Sequence, residues 1–113
     1  MKILIAGSRS ITDFDLAEHI TSEVELIISG GAKGIDTLAE QYADKKRISK
    51  LILRPDYARY GKGAPLVRNK KMVSLADRVI VVWDGKSRGT HSTIEYARSL
   101  EKDLIIINVD NGD

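Results

Sequence analysis

A chain of 113 residues, 42% apolar and 30% charged, holds the material for one folded core of ordinary make-up, so residues 1–113 are expected to form a single domain. Its formal charge of +2 marks a nucleic-acid binder only if the basic groups cluster, zero cysteines exclude disulfides and thiolate chemistry, and His19 and His91 stand too far apart in sequence to suggest a metal. No apolar run nears the roughly 18 residues of a membrane span, and the start MKILIA is too short for a signal peptide's apolar region; the expectation is a cytoplasmic protein with no membrane association, metal or cofactor.

The first apolar run, 2–6, is followed by Leu16, Ala17 and Ile20 at helical spacing. The run 25–28 leads through SGGAKGID into Ile35, Leu38, Ala39, Tyr42 and Ala43, again at helical spacing. A third run, 50–53, precedes the longest loop and a helical segment with Leu66, Val67, Val73 and Ala76. The runs 78–83 and 104–109 then bracket a last helix with Ile94, Ala97 and Leu100. All five runs are continuously apolar rather than alternating, as strands covered on both faces are. Five strands alternating with four helices predict an α/β fold, a three-layer doubly wound parallel sheet with strand order 3-2-1-4-5.

Eight of the nine glycines, at 7, 30, 31, 34, 61, 63, 85 and 89, fall in loops that leave a strand and enter a helix. They therefore collect on the carboxyl edge of the sheet, where open α/β sheets bind ligands. Three of these loops meet around the switch point: Gly7-Ser8-Arg9, the Ser29–Asp36 stretch, and Asp84 to Ser92. Backbone amides, helix N-termini and the cations Arg9, Lys33, Arg68 and Arg88 would converge there, which is equipment for an oxyanion, phosphate above all. Arg88, between Gly85 and Gly89, is the residue expected to grip phosphate bidentately. A plainer reading has Gly30, Gly31 and Gly34 serving a tight turn and a close helix–sheet contact, with Asp36 an ordinary first-turn acid.

Neither GxGxxG nor GxxxxGK[ST] occurs, so classical dinucleotide binding and Walker-type hydrolysis are not expected. Tyr57 and Tyr60, in the long loop, suit either base stacking or loop packing. Trp83 reads as core or rim, His19 as surface, and His91 as the one histidine placed for chemistry.

The linked motifs GSR after strand 1, SGGAKGID after strand 2, Arg68-Asn69, and Trp83 through Thr90 after strand 4 resemble the SLOG superfamily, most closely its small stand-alone YspA/YpsA-related members. That resemblance covers nearly the whole chain and implies a Rossmann-like domain binding nucleotides, nucleotide-derived ligands or nucleic acid. The family's ligand edge would comprise Gly7, Ser8, Arg9, Gly30, Gly31, Gly34, Asp36, Arg68, Asn69, Ser87, Gly89 and Thr90. Relatives include the Lonely Guy phosphoribohydrolases and the DprA/Smf single-stranded DNA-binding proteins. The chain departs from the Lonely Guy pattern PGGxGTxxE: it reads DGKSRGTHSTIEYA, with Thr93 where a glutamate would stand and Glu95 about 200° round the helix. Asp84 and Glu95 are then the carboxylates left for cleaving an N-glycosidic bond.

Three functions follow. The first is a sensor-like module for a nucleotide or nucleotide-derived small molecule. The second is a nucleoside monophosphate phosphoribohydrolase, and the third a single-stranded DNA binder using Arg59, Lys62, Lys70 and Lys71. Homo-oligomerisation, most simply a dimer through the flanking helices, is also expected.

Overall fold

The computed structural model describes residues 1–20 and 23–109. Five parallel strands, β1 (Lys2–Gly7), β2 (Leu26–Ser29), β3 (Ser49–Ile52), β4 (Arg78–Trp83) and β5 (Asp103–Asn108), form one sheet in the order β3-β2-β1-β4-β5. This is the expected three-layer α/β fold. Register fixes the centre: Leu4 of β1 pairs with Ile28 on one side and Val79 on the other.

Each strand is apolar on both faces because each face has its own core. Ile3, Ile5, Ile27, Ile80 and Val82 point towards α1 (Ile35–Lys46), meeting Ile35, Ala39 and Ala43. Leu4, Ile28, Val79 and Val81 point the other way, onto α3 (Ala64–Leu75) and α4 (Arg88–Ser99), through Met72, Val73, Ile94 and Ala97. Burying one such Ile or Val side chain contributes roughly 1.5–3 kcal/mol, which holds the sheet between its two helical layers.

Two local expectations change. The segment around Leu16 is a four-residue 3-10 turn, Leu16–His19, capped by Asp15, rather than a helix. Leu16 and Ile20 reach the core from that single turn, and Phe14 stacks on His19 at 5.3 Å, so no longer helix is needed to cover β1. Part of the long loop is helical: Asp56 caps a one-turn α2 (Tyr57–Tyr60), which Gly61 ends at φ 56°. Thr21, Ser22 and Gly112 lie outside the described residues. No helix among the described residues is long and apolar enough to cross a membrane.

Candidate functional site

Ser8, buried at the end of β1, ties the carboxyl edge together. Its N–H donates to Val82 O at 3.0 Å, its carbonyl accepts from Ile11 and Ile35 N–H at 3.3 and 3.4 Å, and its Oγ accepts from Asp84 N–H at 3.0 Å. Loops from β1, β2 and β4 are thus stitched at one residue. The glycines permit the closeness. A Cβ at Gly7 would stand 2.4 Å from Val82 O, and one at Gly34, which holds φ +74°, would stand 2.5 Å from the carbonyl oxygens of both Ser8 and Arg9.

The SGGAKGID loop is filled by arginines of its own chain. Arg68, from α3, donates through Nη1 to Gly30 O at 2.8 Å and Leu53 O at 3.2 Å, and through Nε to Asn69 Oδ1 at 2.8 Å. Arg54 donates to Gly31 O at 3.1 Å. Two amides of this loop are also engaged internally, Gly31 N–H by Ser29 Oγ at 3.3 Å and Ala32 N–H by Asp36 Oδ2 at 3.1 Å. What approaches these glycines closely is therefore the protein itself: a Cβ at Gly30 would meet Arg68 Nη1 at 2.7 Å and Asp36 Oδ2 at 2.9 Å.

The β4–α4 loop is built by Asp84. One carboxylate oxygen accepts from Lys86 and Ser87 N–H at 2.8 and 3.0 Å and the other from Ser10 Oγ at 3.2 Å; the two amide bonds above all hold its pKa below the usual carboxylate range. Ser87 then caps α4, its Oγ accepting from Thr90 N–H at 3.4 Å and from Thr90 Oγ1 at 3.0 Å, while its carbonyl accepts from Trp83 Nε1 at 3.1 Å.

Between these loops and α3 lies a cleft of about 120 Å³. Of the expected ligand residues it brings together Gly7, Arg9, Asp36, Arg68, Asn69, Ser87, Gly89 and Thr90. Ser8, Gly30 and Gly34 are buried behind it, Gly31 lies under Arg54, and Lys33 and Arg88 are exposed and outside its lining. Asp84 and Glu95 also lie outside the lining; Glu95 sits on the exposed face of α4, 3.1 Å from Arg98 and 3.7 Å from His91.

Asp36 is more than a first-turn acid. It is 8% exposed and faces the cleft, and burial raises its pKa above the ordinary carboxylate range, against the Ala32 N–H bond and the positive charge of Arg68. Burial likewise lowers the pKa of Arg68, opposed by Asp36, yet a guanidinium stays charged throughout the physiological range. Sequence reasoning missed Thr93 and Met72 in the lining. Helical spacing held the signal: Thr93 is three residues from Thr90, and Met72 four from Arg68. The basic run after Arg68 divides, Lys70 lying 5.6 Å over the Tyr96 ring beside α4 and Lys71 lining a second pocket with Arg54 and Arg59.

The family model described as YspA, cpYpsA-related SLOG matches residues 1–60, which contain the first two loops of the cleft. No curated protein and no solved structure matches the chain.

Proposed function

The chain belongs to the YspA/cpYpsA-related SLOG family, and from that premise we propose that it is a nucleotide-binding module whose cleft takes a phosphorylated ribose. The observation that carries this reading is the pairing, in one cleft, of anion-accepting groups with a hydroxyl-accepting carboxylate. The first are Arg9 and the N-terminus of the 12-residue helix α4, whose opening amides carry the positive end of the helix dipole. The second is Asp36, and a buried carboxylate receives sugar hydroxyls well because each O–H can donate to it. Arg68, spent on carbonyls, shapes the wall and offsets the charge of Asp36.

Calorimetric titration with adenosine and guanosine monophosphates, each against its parent nucleoside, tests the proposal. A monophosphate should bind at least tenfold tighter than its nucleoside. Equal affinity for the two, or no binding of either, overturns it.

One observation favours a second reading. Asp36 is the carboxyl that faces the cleft, and its raised pKa suits a general acid for departure of a base. A phosphoribohydrolase would then release free base from a monophosphate, and Asp36→Asn would abolish the release.

A further inference from the structure

Arg68 is a partition with a pocket on each side. Beyond it, between the loop leaving β3 and helix α3, lies a second pocket of about 150 Å³. Four cations border it, Arg54, Arg59, Arg68 and Lys71, against one carboxylate, Asp56. That carboxylate is already used as the cap of α2, accepting from Arg59 N–H at 3.2 Å. Arg68 and Arg54 are held to backbone carbonyls; the other two cations, Arg59, whose guanidinium lies 5.5 Å from the centre of the Tyr60 ring, and Lys71 on the exposed face of α3, are exposed. The remaining wall is apolar and aromatic: Leu53, Ala64, Val67 and the 44% exposed Tyr60.

Like charges gathered round a concavity repel one another unless an anion lies between them. An aromatic and aliphatic wall beside those charges accepts the flat face of a base. We propose that this pocket is a second nucleotide subsite, and that the ligand of the chain is a dinucleoside polyphosphate with one nucleoside in each of the two pockets that Arg68 separates. The inference rests on the nucleotide reading of the first cleft and adds the class of its ligand. Arg59 and Lys71 take the phosphate of the second half, and Tyr60 with Val67 receives its base.

The test measures affinities of adenosine monophosphate and a diadenosine polyphosphate for the wild type and for the Arg59→Ala/Lys71→Ala double variant, whose altered side chains are exposed and outside the first cleft. The polyphosphate should bind the wild type at least tenfold tighter than the monophosphate. The double variant should lose most of that advantage while the first cleft holds the monophosphate as tightly as in wild type, with its melting temperature within a few degrees of wild type. Equal affinity of the two ligands for the wild type, or an advantage that survives the double substitution, overturns the second subsite and leaves the first standing. Failure of both ligands to bind the wild type overturns both.

Discussion

Substituting alanine for Gly34 tests why the SGGAKGID loop is rich in glycine. Gly34 holds φ 74° and ψ −127°, a conformation open to little but glycine, and forcing another residue into it costs about 1–3 kcal/mol. The added Cβ would also stand 2.5 Å from two backbone oxygens, Ser8 O and Arg9 O. Ser8 O is pinned, since it accepts from Ile11 and Ile35 N–H at 3.3 and 3.4 Å, so relief requires the β1 and β2 loops to part. Overpacking of that kind costs a further 1–3 kcal/mol or so, for a total of about 2–6 kcal/mol. Against a typical stability of about 5–15 kcal/mol this is a large fraction, and the urea midpoint should fall by roughly 1–3 M at unchanged slope. Gly89→Ala is the matched control. Its Cβ would meet nothing within 4 Å, and it lies in the first turn of α4 without a left-handed φ. Its midpoint should stay or rise, by no more than about 1 kcal/mol of helix propensity. A Gly34→Ala midpoint indistinguishable from that of Gly89→Ala would refute the close-approach argument.

The raised pKa of Asp36 gives a pH dependence of definite sign. The folded state binds its proton more tightly than the unfolded one, so this group's contribution to stability falls as pH rises from the ordinary carboxylate value, about 3.9, through the folded-state value. Urea midpoints against pH should therefore fall more steeply across that window in wild type than in Asp36→Asn, and parallel profiles would contradict the assignment. Arg88 is exposed and outside the cleft lining whereas Arg9 lines it, so Arg9→Ala should weaken nucleotide binding by about 1–3 kcal/mol and Arg88→Lys by less; titration of both variants checks the ranking. Leu66, Leu75 and Leu100 are 46, 40 and 41% exposed on α3 and just after α4, and we propose that they contribute to a dimer. Light scattering should then show twice the monomer mass at high micromolar concentration, and half that mass for Leu66→Asp.

The strands were legible because continuous runs of isoleucine, valine and leucine carry one meaning in a chain this short: cover on both faces. The 3-10 turn at Leu16–His19 was not, since Leu16 and Ile20 satisfy a helical spacing that a single turn also satisfies. Nor was α2, whose cap, Asp56, and stop, Gly61, enclose too few residues to show a period. At the site, the glycine loop read as a backbone cradle for phosphate; that arginines of the same chain approach Gly30 and Gly31 was not legible, because Arg68 and Arg54 lie 38 and 23 residues further along the chain. Asp36 read as a helix-start acid for the same reason: Arg68 and the Gly30–Ala32 turn come together beside it, which no local pattern records.

The central claim is that the cleft receives phosphate at the start of α4 and ribose hydroxyls at Asp36. Amide chemical-shift mapping during titration with adenosine or guanosine monophosphate addresses both contacts in one experiment. The account predicts that the largest shifts fall at Arg88, Gly89 and Thr90, with a second group at Ala32 and Asp36, and that the parent nucleoside leaves the first group unmoved. Shifts of equal size with and without the phosphate at Arg88–Thr90, or shifts confined to the opposite edge of the sheet around Arg47 and Asp77, would contradict it.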